Sequence, residues 1–243
     1  MTEKIDNKDE SKESKKQGHY HLISRIMDEI IQIFIDFDFQ VVTCNESDDE
    51  YHNFNALNVP ANHPARDMQD TFWLKDFPKN LMRTQTSNSQ IHFMENNKPP
   101  FKIVAPGKVY RYEATDKTHE VQFHQFEGLV VGENISMANL KFALFNLLKK
   151  VFGDDVEMRL RPGYFPFVEP GLEIDIRRKN GNWVEILGAG MVNKAVLNNV
   201  GIDPNKYQGF AFGLGIDRIA MIKYNTGDIR DFYNGDLRLI NQF

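Results

Sequence analysis

Apolar residues Leu22, Ile23, Ile26, Met27, Ile30, Ile31 and Phe34 recur every three or four positions, which predicts an amphipathic helix lying on a sheet or a second subunit. The seventeen residues before it are polar, with Lys4, Lys8, Lys12, Lys15 and Lys16 interleaved among Glu3, Asp6, Asp9, Glu10 and Glu13. No core can form there, so residues 1–17 read as a disordered, solvated tail and 18–243 as the folded unit. Farther on, the spacing changes to strands. Residues 102–113 and 121–131 flank a short polar loop as an antiparallel pair, and Ser136 caps a helix through Leu140, Leu144, Leu147, Leu148 and Val151 that Gly153 stops. Residues 172–178 and 183–188 alternate on either side of Asn180-Gly181, the pair a tight primed turn demands. A helical stretch follows around Val196. The strand holding Phe210, Ala211 and Phe212 then breaks at Gly213 and Gly215 and gives way to a helix over 216–223. Strands joined by hairpins, with few βαβ units, predict an α+β fold with an antiparallel sheet carrying helices.

Composition narrows the function. The apolar share of 41% and aromatic share of 12% suit a well-filled core. No run is long enough to span a membrane, and no secretory leader opens the chain. The lone Cys44 excludes an internal disulfide and a multi-cysteine zinc site, as expected in a reducing cytoplasm. A formal charge of −5 argues against wrapping of nucleic acid, though not against a local basic patch.

Four clusters carry candidate chemistry. Residues 58–72 are dense in proline and charge, and 83–90 read Arg-Thr-Gln-Thr-Ser-Asn-Ser-Gln, a hydroxyl-and-amide stretch able to hold a polar ligand. Between 107 and 127, Arg111 and Glu113 share one strand face, as do Phe123, Gln125 and Glu127. A cation, an anion and a ring together grip a zwitterion beside a base. Residues 161–170 wedge Phe165 and Phe167 between prolines. The junction at 209–218 adds Arg218 in the first turn of a helix, suited to stacking on a purine or holding a phosphate, although G-x-G-x-x-G is incomplete. His119 and His124 lack the cysteine or carboxylate pattern of a metal site, and His19 and His21 border the tail and are expected in solvent. These residues alone leave two readings open: charged and aromatic positions of an ordinary domain, or a pocket for a nucleotide and a small aromatic ligand.

Five blocks in order decide between them: His-Pro-Ala-Arg-Asp-Met-Gln-Asp-Thr-Phe, Arg-x-Glu with Phe-His-Gln-x-Glu-Gly, Tyr-Phe-Pro-Phe-Val-Glu-Pro, Gly-Ala-Gly-Met-Val and Gly-Phe-Ala-Phe-Gly-Leu-Gly. From about residue 18 to the end, the chain closely resembles the alpha-subunit family of bacterial phenylalanine–tRNA ligases, class II aminoacyl-tRNA synthetases. The resemblance implies a six- or seven-stranded antiparallel sheet flanked by helices. It implies ATP, Mg2+ and phenylalanine as ligands, and a cytoplasmic α2β2 heterotetramer with a beta subunit, charging tRNA(Phe) and binding neither DNA nor membrane. Arg111 resembles the arginine holding the α-phosphate and the substrate carboxylate, assisted by Gln85. Glu113 and His119 match contacts to the adenine end and the outer phosphates, and Phe123 and Arg218 the two sides of an adenine sandwich. Ser87, Gln125 and Glu127 match the groups around the substrate ammonium. Phe165 and Phe167 would meet the substrate ring, Val168 and Ala211 would limit pocket depth, and Glu169 and Glu185 match magnesium-side carboxylates.

The chain departs from that pattern in places. A short tail stands where the family has a coiled-coil arm, Cys44-Asn45 where it has Gly-Pro, Gln85 and Asn88 where it has histidine and proline, and Asp217 where it has glutamate. Three readings follow: the catalytic alpha subunit, a paralogue activating an amino acid without charging tRNA, and a non-catalytic binding module. The retained Arg111, Glu113, Phe123, Gln125, Glu127 and Arg218 favour an enzyme over the third, the absent arm keeps the second open, and the first is the preferred reading.

Overall fold

Helix α1, Leu22–Ile35, begins where the ring of His21 accepts a hydrogen bond from the Ile23 amide at 3.2 Å. The other ring nitrogen of His21 lies 2.9 Å from the Phe232 carbonyl, so this histidine is a half-buried cap and not the solvated residue expected from the sequence; His19 is exposed. The computed structural model describes residues 18–63, 71–179 and 181–243. The predicted tail 1–17 and residues 64–70 of the proline-rich cluster 58–72 lie outside the described residues. The apolar face of α1 is buried within the chain itself: Phe34 stacks on Phe126 at 5.4 Å and Phe212 at 5.3 Å between ring centroids. Of the two partners expected for that face, the sheet is the one it meets.

The strands are β1 (Gln40–Val41), β2 (Ser47–Asp49), β3 (Asn80–Met82), β4 (Phe101–Tyr110), β5 (Gln122–Gly132), β6 (Val156–Phe165), β7 (Val168–Arg178), β8 (Val184–Val192) and β9 (Gln208–Gly215). Seven of them form one sheet in the order β1-β4-β5-β9-β8-β7-β6, while β2 and β3 pair separately. Every neighbouring pair in the large sheet is antiparallel except β1 with β4. The sheet is therefore antiparallel with one short parallel edge.

Alternation along the strands sorts two cores onto its two faces. Val104, Phe126, Val130, Phe210, Phe212 and Leu214 point to α1, α3 (Met137–Phe152) and α5 (Ile216–Tyr224). Ile103, Leu129 and Val131 point the other way, toward a wide helical turn at Tyr51–Asn55, α2 (Ser87–Asn96) and α4 (Lys194–Asn199). Helix α3 follows its sequence signals: Ser136 and Asn139 form a reciprocal capping box, and Gly153 at φ 96° ends it.

Three boundaries differ from expectation. Strand β4 stops at Tyr110: the Arg111 amide still reaches the Val121 carbonyl at 3.0 Å, but the Glu113 amide turns back to the Arg111 carbonyl at 3.0 Å, so Arg111 and Glu113 lie in a loop beyond the strand. Strand β9 runs unbroken through Gly213 to Gly215. Finally, β7 ends at Arg178 and β8 begins at Val184, with Ile176 paired to Val184, one position off the register that a two-residue turn at Asn180-Gly181 would set. Asn180 itself lies outside the described residues.

Candidate active site

The second face of the sheet opens into a cavity of about 400 Å³. Strand β5 sends Gln125, Glu127 and Leu129 into it by the two-residue period, and β9 adds Ala211 and Gly213 beside them. Gly213 lies opposite Glu127, and a Cβ there would stand 3.2 Å from Glu127 Cγ. The glycine leaves room for a buried carboxylate and does not break the strand. The tight turn between β6 and β7 supplies Phe165, Phe167 and Val168, with the two rings stacked 5.9 Å apart. Gln85 precedes α2, and Ser87, Gln90 and Met94 on the helix close the remaining wall.

Glu127 is 5% exposed and accepts two hydrogen bonds at Oε2, from Ser87 Oγ at 2.6 Å and Gln90 Nε2 at 2.7 Å. Burial outweighs those bonds and pushes its carboxyl up to about 7. A cation arriving beside it would hold it ionised. Next along the same face, the buried Gln125 Oε1 has no hydrogen-bond partner. An orphan acceptor beside a carboxylate asks for an ammonium donor. Gln85 is 6% exposed and donates to the Asn53 carbonyl at 3.3 Å.

Arg111 is half-buried at the cavity rim, and its Nε donates to the Thr84 carbonyl at 3.2 Å. Burial lowers its pKa, opposed by Glu113 and Glu127. Its guanidinium also lies 5.1 Å from the centre of the Phe123 ring. Nine of the predicted residues thus line one cavity: Gln85, Ser87, Arg111, Gln125, Glu127, Phe165, Phe167, Val168 and Ala211.

The other six lie outside it. Glu113 and His119 ride the loop 111–121, where Asp116 holds His119 through its amide at 2.8 Å and its ring at 3.1 Å. Phe123 lies near the start of β5 and Arg218 in the first turn of α5, on neighbouring elements because Gln125 pairs with Gly215. Arg218 donates to the Glu185 carbonyl at 3.3 Å. Glu169 and Glu185 do not converge. Glu185 pairs with Asp175 and Val168 with Val192, so the two carboxylates are separated by several residues of strand, roughly 20 Å at about 3.3 Å per residue. Glu185 meets Arg161 at 3.1 Å and Glu169 meets Asn193 at 3.4 Å. His124 turns to Tyr233 and not toward His119.

Among the described residues, Asp48, His52 and His92 bring three metal-type donors together behind α2. Their geometry resists a shared ion. The two rings stack 3.8 Å apart at 19°, so their in-plane lone pairs run side by side and do not meet. Burial pulls His52 down, but hydrogen bonds from its ring to Asp49 (2.8 Å) and Glu95 (3.2 Å) outweigh it and raise its pKa. The cluster is a charged pin joining β2, the wide turn and α2.

Sequence reasoning missed Leu57, Met94, Leu129, Val192 and Val196, which also line the cavity, while Gln90, the last residue of the polar stretch 83–90, lines it without having been given a role of its own.

Comparison with known proteins bears on this site. Residues 4–243 match the family described as tRNA synthetases class II core domain (F). The chain is 50% identical over 228 residues to the phenylalanine–tRNA ligase alpha subunits of Proteus mirabilis and Klebsiella pneumoniae, covering 94% of this chain and 69% of each relative. The Escherichia coli O139:H28 alpha subunit is 49% identical over the same length. Among solved structures, pyrrolysyl-tRNA synthetase from Desulfitobacterium hafniense shares the fold, with a TM-score of 0.71 at 14% identity over 92% of this chain and 76% of that one.

Proposed function

The chain belongs to the class II tRNA synthetase core-domain family, and we propose that it acts as the catalytic alpha subunit of a phenylalanine–tRNA ligase. It is an ATP-dependent ligase that activates phenylalanine to the adenylate and transfers the acyl group to tRNA(Phe). The observation that carries the choice of substrate is the pairing of orphan Gln125 Oε1 with buried Glu127 in a cavity otherwise walled by Phe165, Phe167, Val168 and Ala211. An ammonium fits the polar corner, and a benzyl group fits the apolar end.

The substrate's α-ammonium donates to Gln125 Oε1 and Glu127 while its ring lies against Phe165 and Phe167. Val168 and Ala211 limit depth, so a para hydroxyl is crowded and unpartnered, a modest discrimination in an apolar pocket. Arg111, at the rim, holds the substrate carboxylate against the α-phosphate of ATP. A carboxylate oxygen forms the new bond to phosphorus, the bond from phosphorus to the β-bridging oxygen breaks, and pyrophosphate leaves. A tRNA ribose hydroxyl then attacks the acyl carbon and AMP departs. No side chain forms a covalent bond, so the protein acts by alignment and by offsetting phosphate charge. Phe123 and Arg218 sandwich the adenine, and Glu113 and His119 reach the nucleotide from their loop.

Class II synthetases use ATP with Mg2+ in general. Glu169 and Glu185 stand too far apart to clasp one ion together, so each serves at most as a single carboxylate to an ion carried on the phosphates. The partner is a beta subunit in an α2β2 assembly, and the compartment is the cytoplasm; among the described residues no helix is long and apolar enough to cross a membrane.

The test is pyrophosphate–ATP exchange by the chain co-expressed with its beta subunit. Exchange that depends on phenylalanine and Mg2+, and is far weaker with tyrosine, supports the reading. Exchange driven equally by unrelated amino acids, or absent altogether, overturns it.

A further inference from the structure

Asp217, one residue before Arg218, is 1% exposed and uses both carboxylate oxygens. Oδ1 accepts a short hydrogen bond from the Tyr233 hydroxyl, and Oδ2 accepts from the His124 amide at 2.7 Å. His124 is the residue after Phe123. Its ring Nδ1 also meets the Tyr233 hydroxyl, at 3.1 Å. One buried carboxylate therefore ties the start of α5, with Arg218, to the start of β5, with Phe123.

Tyr233 ends the short helical turn Ile229–Phe232, and that turn has two further anchors. The Ile229 amide donates to the Lys117 carbonyl at 3.0 Å, inside the loop carrying Glu113 and His119. The Phe232 carbonyl meets the His21 ring at 2.9 Å, at the cap of α1. The stretch 111–124 and the residues 217–218 are distant in sequence, and this C-terminal turn touches both. None of its residues lines the cavity.

We propose that residues 229–233 form a brace across the nucleotide half of the site, with Tyr233 as a positioning residue that sets Phe123 and Arg218 in register for the adenine ring. The inference rests on the reading of Phe123 and Arg218 as the adenine sandwich. Physically, a sandwich needs two planes held a fixed distance apart, and each plane here hangs on a separate element. Asp217 gives the link a charged, water-excluded centre, where hydrogen bonds are directional and costly to leave unmade. Asp217 is a short carboxylate, and the phenol fills the space beside it while donating the proton its Oδ1 needs. The ammonium corner and ring end of the amino acid pocket, built from β5 residues 125–129, α2 and the β6–β7 turn, share no residue with the brace, which reaches the cavity only at its rim through Arg111.

Tyr233→Phe in the complex with the beta subunit tests this, with Asp217→Asn as a second variant and pyrophosphate exchange as the assay. The expected result is a rise in KM for ATP of about tenfold in each variant, the loss of one charge-assisted bond. KM for phenylalanine should be unchanged, while the melting temperature of Tyr233→Phe falls by the amount expected of one lost buried hydrogen bond. An unaltered KM for ATP in both variants overturns the brace. So does an equal rise in both KM values, which marks plain loss of packing across the site. Failure of the wild-type complex to exchange at all is a different result, since it removes the functional reading itself.

Discussion

Ser87 donates its hydroxyl to Oε2 of Glu127 across 2.6 Å in a site where the serine is 4% and the glutamate 5% exposed. The bond favours the ionised carboxylate, yet burial dominates and the group titrates near 7, above its ordinary 4.5. The sign of the resulting pH dependence is fixed. Below about 4.5 both folded and unfolded chains hold the proton. Between there and about 7 the unfolded chain releases it and the folded chain keeps it, so this group's contribution to stability is lost as pH rises.

Glu127→Gln lacks that titration. Relative to wild type, the free variant should gain roughly 3 kcal/mol between pH 4.5 and pH 8, the worth of a carboxyl pushed from 4.5 up to about 7. Urea midpoints for the two proteins at both pH values measure it. Parallel curves would contradict the assigned burial of charge.

The same titration governs the substrate. An ammonium binds the ionised carboxylate, so KM for phenylalanine in the wild-type complex should fall as pH rises through about 7 and level off above it. A flat profile would mean that Glu127 is already ionised in the free enzyme.

Arg111→Ala removes the cation expected at the α-phosphate. Exchange should fall by a factor of about 100 or more, the usual worth of one such group in a water-excluded site. Activity within a few-fold of wild type would refute the role given to Arg111.

Ala211 sits on β9 at the apolar end of the cavity, beside Leu129 in register. Ala211→Gly should admit para-substituted phenylalanines, with kcat/KM for them rising by about tenfold, the scale of one methyl-sized volume. Competition between 4-chlorophenylalanine and phenylalanine in the exchange assay reads this directly, and no change would place the ring elsewhere.

Gln85 donates to the Asn53 carbonyl in the cavity wall. If a hydrogen bond is what this position supplies, Gln85→His should alter the activation rate by less than about tenfold, within 1.4 kcal/mol of barrier, and equally at pH 6 and pH 8. A large gain confined to acid pH would show that charge is needed there.

Gln125 and Glu127 were legible as one face because they alternate along β5, whereas Ser87, Phe165 and Phe167 are placed at the site by the family resemblance, since no local period tells a pocket ring from a core ring. Arg111 was placed on a strand because alternation cannot reveal where a ladder ends, and here the chain turns just after it, where the Glu113 amide bonds back to the Arg111 carbonyl at 3.0 Å. Gly213 reads as a strand breaker until the carboxylate facing it is known. Glu169 and Glu185 look like a pair only until the register of β7 and β8 separates them. His21 looked solvated because a histidine cap depends on Phe232, 211 positions away. Met94 and Leu57 carry no signal, being ordinary apolar residues that tertiary packing happens to aim at the cavity.

The cavity walls come from stretches near residues 85–94, 111–129, 164–168 and 188–213, strung along most of the chain. No short fragment can therefore recognise the substrate, and bound phenylalanine cannot rescue a chain in which β5 has yet to find β9. Its free energy falls on the whole cooperative unit: about 2.7 kcal/mol at a hundredfold excess over Kd. Amide exchange through β5, β7 and β9 should then slow together on binding, with α3, on the far side of the sheet, protected to the same degree.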